Sequence, residues 1–303
     1  MMGSIRIGTR GSPLALAQAR MVATALRDTH DWGPEQIEIV PITTTGDIVR
    51  DRPLAEIGGK GLWTKELDAC LGDGRTDISV HSMKDVETFR PESLQIAAML
   101  PRASVCDRLI GAESLEALPQ GARVGTSSPR RAAQLLARRP DLVIVPIRGN
   151  VETRLRKLGK GEADATLLAS AGLERLNHPD TGVVLDDFLP APAQGAVGIE
   201  VRASDRRTRS LIAAIDDRAT HLCVGAERRL LEGLGGTCRS PIAALARLDG
   251  GEIHLRAEII SPDGSEIVRC EERFAAEDTE TPLALARALL ARASPSLRAL
   301  FAG

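Results

Sequence analysis

Two stretches of this chain follow one pattern, and that repetition constrains the fold more than any other feature. Ile5-Arg6-Ile7-Gly8-Thr9-Arg10-Gly11-Ser12-Pro13 and Arg123-Val124-Gly125-Thr126-Ser127-Ser128-Pro129 each run from a short strand-like segment through Gly-Thr to Ser-Pro. After the first, Leu14, Leu16, Ala17, Met21 and Val22 recur at roughly helical spacing. Serine is a favoured helix N-cap and proline is tolerated at the first helical position, so Ser12 and Pro13 mark a helix start. Two more blocks match in the same order. Ile39-Val40-Pro41-Ile42 is answered by Ile144-Val145-Pro146-Ile147, and Gly74-Arg75-Thr76-Asp77 by Gly161-Glu162-Ala163-Asp164. The offset shrinks along the chain, so the first copy carries the longer loops. Three matches in one order predict a duplicated βα lobe.

Alternating strands and helices imply two doubly wound α/β lobes with mainly parallel sheets, whose ligands bind beyond the carboxyl ends of the strands. Leu100-Pro101 and Leu189-Pro190-Ala191-Pro192 read as crossings between the lobes. Two crossings send the chain into lobe 2 and back to lobe 1 through the apolar run Gly195–Val201, which reads as a buried strand. Lobe 1 is then residues 1–99 with 194–216, and lobe 2 is residues 100–193. From about Arg218 the pattern changes. Ala219–Leu234 reads as a helix ending at Gly235-Gly236, followed by strand-like runs at 242–248, 252–260 and 265–274 and a closing helix at 282–293. Asp249-Gly250 and Pro262-Asp263-Gly264 supply hairpin turns. Residues 217–303 are therefore expected to form a small α+β domain with a three-stranded antiparallel sheet.

Composition removes several classes of function. With two Trp, four Phe and no Tyr, the chain lacks the stacking platforms of single-stranded nucleic-acid binders. A net charge of −2 gives no global basic field for nucleic acid or an anionic membrane. Five cysteines without a C-x-x-C fit neither a disulfide framework nor a zinc site, so no metal is expected. Without an apolar signal run at Met1–Arg6 or a membrane-length apolar stretch, a reduced cytoplasmic protein is expected.

The candidate functional residues lie on loops after short strands. Thr9–Pro13 joins a strand, a glycine turn and a capped helix start, which makes an anion site to which Arg10 adds a forked cation; it is equally an ordinary turn with a solvated arginine. Thr43–Gly61, with Gly58, Gly59 and Lys60, is the longest insertion and reads as a lid over a cleft or as a plain surface loop. His81-Ser82-Met83-Lys84-Asp85-Val86 follows a strand, which suits an anion contact from Lys84 and proton handling by Asp85, or an exposed Lys-Asp pair. Arg130 and Arg131 fall in the first turn of a helix, where the dipole is already positive, so they require a negative partner. Arg148 lies in the loop after another strand and Arg154 in the helix beyond it. Ala169-Ser170-Ala171-Gly172-Leu173-Glu174-Arg175 is rich in small residues and suits close approach of a ligand. Cys238 sits on the tight loop Gly235-Gly236-Thr237-Cys238-Arg239-Ser240-Pro241. Alone it would pass as a small buried hydrophobe; beside so many loop cations it reads as the attachment point of a multiply acidic group.

Taken together, His81–Asp85, Gly125-Thr126-Ser127-Ser128 with Arg130-Arg131, Arg148-Gly149-Asn150-Val151, Leu189–Ala196 and the Cys238 loop resemble the porphobilinogen deaminases, or hydroxymethylbilane synthases. The resemblance spans Ile5 to about Pro241 and continues more weakly beyond. It implies two lobes like those of periplasmic binding proteins plus a third domain. It also implies a dipyrromethane cofactor held by a thioether to Cys238, and stepwise head-to-tail condensation of four porphobilinogen molecules. The product, hydroxymethylbilane, would pass to uroporphyrinogen III synthase, and the enzyme would be a monomer. By the same resemblance Asp85 is catalytic. Cofactor and substrate would be held by Arg10, Ser12, Ser82, Lys84, Thr126, Ser127, Ser128, Arg130, Arg131, Arg148, Gly149, Asn150, Arg154, Ala169, Ser170, Arg175 and Gln194. Gly58, Gly59, Lys60 and Trp63 would belong to the lid. Trp63 stands where the family has phenylalanine, and Glu87 where proline is frequent. The competing reading is a two-lobed binding protein for a small anion, which leaves Cys238 and the third domain without a role.

Overall fold

The computed structural model describes residues 4–48, 63–235 and 240–301. The first part of the chain forms β1 (Ile5–Arg10), α1 (Pro13–His30), β2 (Ile37–Ile42), α2 (Thr45–Ile48), α3 (Lys65–Gly72), β3 (Ile78–Ser82) and β4 (Leu94–Met99). Next come β5 (Asp107–Ile110), β6 (Arg123–Gly125), α4 (Pro129–Arg138), β7 (Val143–Val145), α5 (Val151–Gly159), β8 (Ala165–Ala169), α6 (Ser170–Arg175) and β9 (Val183–Leu185). The chain ends with β10 (Val197–Arg202), α7 (Arg206–Ala213), α8 (Arg218–Leu234), β11 (Ile242–Asp249), β12 (Glu252–Ile260), β13 (Ile267–Ala275), α9 (Thr281–Arg292) and α10 (Pro295–Ala299).

The duplication is present in the sheets. One sheet has the order β2-β1-β3-β10-β4 and the other β7-β6-β8-β5-β9. In each, the first three strands are parallel and the fourth, β10 or β5, runs against both its neighbours. Four of five strands therefore share a direction. In both sheets the reversed strand is the one that follows a crossing segment.

The three matched sequence blocks occupy equivalent places. Gly8 lies in β1 and Gly125 in β6, while the two Val-Pro-Ile blocks sit at β2 and at β7 with the turn after it. The third block is a clasp. Arg6 donates from its backbone and guanidinium to Asp77 at 2.9–3.1 Å, and Asp77 N–H returns a bond to Arg6 O. Arg123 and Asp164 repeat this at 2.7–3.0 Å. Gly74 (φ 77°) and Gly161 (φ 70°) make the left-handed turns before each aspartate. Both ion pairs are partly solvated and therefore weak; their main effect is on register.

Helix starts follow the expected chemistry. Ser12 Oγ accepts from Ala15 N–H at 3.3 Å with Pro13 next, and Ser128 Oγ accepts from Arg131 N–H at 3.4 Å with Pro129 next. Ala19, Val22, Ala23 and Leu26 of α1 pack on Ile5, Ile7, Ile78 and Val80 of the first sheet. Leu109, Val124, Leu135 and Leu167 form the equivalent core of the second.

The C-terminal sheet is an antiparallel meander in the order β11-β12-β13. Gly250 (φ 57°) and Gly251 (φ 90°) form a two-residue loop of the type that matches strand twist. Its buried face packs against Leu230 and Leu234 of α8 and Leu289 of α9.

The chain divides into two compact units. One runs to Ala103 and takes in Ala196–His221, and the other holds Ser104–Gly195 and Leu222–Gly303. Within the second, Gln134 of α4 donates to Glu258 of β12 at 2.7 Å, and Ala244 N–H of β11 donates to Pro190 O at 3.0 Å. The buried Glu227 carboxylate of α8 accepts from Ala193 N–H at 2.6 Å and Ala246 N–H at 2.7 Å. It ties the Leu189–Gln194 loop to the C-terminal sheet. Among the described residues no helix is long and apolar enough to cross a membrane.

Candidate functional site

In the first unit the predicted residues converge where β1 and β3 end. Ser82 closes β3, and the chain turns at once into a single 3₁₀ turn, Met83–Asp85. Met83 is buried and its N–H donates to Ala196 O at 3.1 Å. Its sulfur lies over Gly198, where any side chain would overlap it. This anchor leaves Asp85 exposed and Lys84 half-buried on the turn. Arg10, Ser12, Gln18, Trp63, His81 and Asp85 are among the walls of a cavity of about 50 Å³. Lys84 is not one of its walls. The Arg10 guanidinium stacks 3.9 Å from the centre of the Trp63 ring, a geometry in which the ring's π-face attracts the cation. The six-membered ring of that indole also lies close to Gly46, where an added Cβ would overlap it. Gln18 Nε2 donates to Ser82 Oγ at 2.9 Å.

Behind this cavity lies a buried charge cluster. Glu200 of β10 is fully buried, with Oε2 3.0 Å from His81 Nε2. Arg90 donates to both Glu200 oxygens at 2.8 and 2.9 Å, to Asp68 at 2.6 Å and to Glu87 at 2.8 Å. Burial works against the Glu200 charge, but the bonds from His81 and Arg90 outweigh it and hold its carboxyl down at about 2. Burial is the larger influence on Asp68, whose carboxyl is pushed up despite Arg90.

In the second unit Arg130, Arg131 and Gln194 gather around a carboxylate that sequence reasoning did not single out. Asp107, at the start of β5, is 1% exposed. Its Oδ2 accepts from Arg130 at 2.7 Å, and its Oδ1 from Arg131 at 2.6 Å and from Gln194 Nε2 at 2.9 Å. Burial alone would raise the Asp107 carboxyl; the two guanidinium charges outweigh it and hold it well below the ordinary range. The negative partner that first-turn arginines demand is thus within the protein. Arg130 also donates to Gln134 Oε1 and Leu189 O, and Arg131 to Leu167 O, so both are buried.

Thr126–Ser128 and Arg148–Asn150 follow the ends of β6 and β7, Ala169 and Ser170 lie at the end of β8, and Arg154 and Arg175 lie in α5 and α6. Thr126 Oγ1 accepts from Ser128 N–H at 3.1 Å, and Ser127 Oγ donates to Ile147 O at 3.0 Å. Asn150 caps α5 by accepting from Thr153 N–H at 2.9 Å, and Arg154 Nε donates to Gly149 O at 2.9 Å. Gly149 has φ 121°, and a side chain there would overlap Thr153. Arg148 and Arg154 are half-buried. Ala169 ends β8 and Ser170 begins α6. Arg175 donates to Gly195 O at 2.7 Å, and burial pulls its guanidinium below its ordinary value. Cys238, Gly58, Gly59 and Lys60 lie outside the described residues.

A porphobilinogen deaminase family model, described as its dipyrromethane cofactor binding domain, matches residues 5–210, and a model of the family's C-terminal domain matches 221–291. The chain belongs to the porphobilinogen deaminase family. A family member from Sphingopyxis alaskensis is 55% identical, covering 98% of this chain and 96% of its own. One from Paracoccus denitrificans is 54% identical over 90% of this chain and 89% of its own. Among solved structures, a double mutant of the VFT2 domain of Bordetella pertussis BvgS is similar with a TM-score of 0.41, 16% identity, and coverage of 70% of this chain and 85% of that one.

For a porphobilinogen deaminase, the second unit offers a specific fit to a cofactor rich in carboxylates. Nε of Arg130, Arg131 and Arg175 and Oγ of Ser170 are buried without a hydrogen-bond partner among the described residues. Buried donors left unmade cost about 1–3 kcal/mol each. Donors in this state suit an acidic ligand that accepts from them.

Sequence reasoning missed Gln18, Arg90, Asp107 and Glu200. Two carried a signal. Glu200 interrupts an otherwise apolar buried strand, and Asp107 opens another, where an unpaired carboxylate would not be tolerated. Gln18 and Arg90 carried none, since polar residues on an amphipathic helix and in a loop are ordinary.

Proposed function

We propose that this chain deaminates porphobilinogen and joins four molecules head to tail on a dipyrromethane bound through Cys238, losing ammonia at each addition, and that water then cleaves the bond to the cofactor and releases hydroxymethylbilane. The bound cofactor would supply the nucleophilic pyrrole carbon that starts the chain. Asp85 serves as the catalytic carboxylate. It is exposed on a turn anchored by Met83 and so can meet the pyrrole N–H of a substrate, where positive charge grows as ammonia leaves. Arg10, with Ser12 and Ser82, holds the substrate's acid side arms in the Asp85 cavity, and Lys84 adds a cation on the same turn. In the second unit Arg148, Gly149, Asn150 and Arg154 form one anion-holding group. Thr126, Ser127 and Ser128 form a second, and Ala169, Ser170 and Arg175 a third. Arg130, Arg131 and Gln194 act from the Asp107 cluster, with Nε among the remaining donors of each arginine. Trp63 orders Arg10 by stacking on its guanidinium.

The observation that supports this reading best is the shared cavity of Asp85 and Arg10, which pairs a carboxylate for the pyrrole nitrogen with a cation for an acid arm. The protein works in the cytoplasm as a monomer of three domains, residues 1–99 with 194–216, 100–193 and 217–303, and passes its product to uroporphyrinogen III synthase. Intact-mass measurement tests the proposal. The active protein should exceed the 32.3 kDa chain by one dipyrromethane, and Cys238→Ala should bring it to the bare chain mass with no turnover. An active protein at the bare mass would rule the proposal out.

A further inference from the structure

We propose that His81 is a substrate-binding residue of the Asp85 cavity, presenting Nδ1 as a hydrogen-bond acceptor to a substrate N–H, and that Glu200 and Arg90 are positioning residues that lock it in that state. This rests on the reading of that cavity as the porphobilinogen site. His81 is one of its walls, yet its side chain is only 5% exposed. Its Nε2 is committed to Glu200 Oε2 at 3.0 Å, and Nδ1 has no hydrogen-bond partner among the described residues. A carboxylate has no proton to give, so Nε2 must carry the hydrogen and donate it. In the neutral ring that assignment puts the lone pair on Nδ1.

The bond is held from outside the cavity. Glu200 stands opposite Ser79 in the β3–β10 ladder, so its side chain shares a face with His81 two residues on. Arg90 grips both Glu200 oxygens and is itself anchored by Asp68 of α3 and by Glu87, which also accepts from Thr64. The charged groups around the ring are thus Glu200, Asp68, Glu87 and Arg90 behind it, and Asp85 and Arg10 on the cavity walls. A base held by a buried carboxylate through its far nitrogen is an arrangement that fixes tautomer and ring orientation together. Porphobilinogen carries two kinds of N–H, a pyrrole and an aminomethyl group. Asp85 can accept one, and the second requires another acceptor, which Arg10 and Ser12 do not readily supply beside the acid arms.

The variant that separates this role from a structural one is His81→Gln. Its amide nitrogen can reproduce the Nε2 bond to Glu200 but leaves nothing at the Nδ1 position. The variant should fold, retain the covalently bound cofactor by intact mass, and lose about 10- to 100-fold in kcat/KM. Independently of any variant, ¹⁵N spectra of histidine-labelled holoenzyme at mildly alkaline pH should show His81 protonated at Nε2 and bare at Nδ1. Glu200→Gln should scramble that tautomer. A proton on Nδ1 in the wild type, or a folded His81→Gln enzyme within threefold of wild type, would overturn the assignment. If the wild-type holoenzyme forms no hydroxymethylbilane, the underlying function fails; if it does and His81→Gln matches it, only the role of His81 fails.

Discussion

Turnover by an Asp85→Asn enzyme is expected to fall by about 10²- to 10⁴-fold, the usual worth of a positioned acid–base group, while its melting temperature stays with the wild type. Asp85 is exposed at the end of its 3₁₀ turn. The turn is anchored by the buried Met83 and its bond to Ala196, neither of which depends on the carboxylate. Asparagine keeps the shape and one carbonyl acceptor but loses the charge that would stabilise a cation forming on the substrate. Steady-state kinetics on holoenzyme, with cofactor content checked by mass, measures this directly. Activity near wild type would remove Asp85 from the mechanism.

Asp107→Asn should be the most destabilising single change near the site, costing about 3–5 kcal/mol, because it leaves Arg130 and Arg131 buried without their counter-ion. The wild type should also show the linkage in its pH dependence. The folded Asp107 carboxyl lies well below its unfolded value because two guanidinium groups outweigh its burial. A depressed folded value means that its contribution is complete above the unfolded value, about pH 4, and drains away as pH falls below that. Urea unfolding between pH 7 and pH 3 should therefore show a gap between wild type and variant that is constant down to about pH 4 and starts to narrow below it. A variant as stable as the wild type at pH 7 would mean that the three-residue cluster is not a stabilising unit.

The same cluster changes how an arginine variant is read. Arg131→Leu removes one donor to Asp107 as well as one donor to a ligand, so a failure to assemble cofactor would not by itself identify a ligand contact. Arg154, half-buried and bonded to Gly149 O, is a cleaner test of anion holding. Its replacement should weaken substrate binding with little loss of stability.

Short-range chemistry was legible in the chain. Ser12-Pro13 begins a helix because a serine oxygen can satisfy an orphan N–H and proline lacks one there. The three repeated blocks correspond to three equivalent positions in two sheets, since a βα turn and a glycine before an aspartate act within a few residues. The C-terminal meander followed from its turn residues in the same way. Which charges meet was not legible. Asp107 lies 23 residues before Arg130, and His81 lies 119 before Glu200. These meetings exist because β10 enters the first sheet between β3 and β4 while β5 enters the second beside β8. Strand order is a property of the packed sheets, and a buried carboxylate selects its cation only after that packing has excluded water from both.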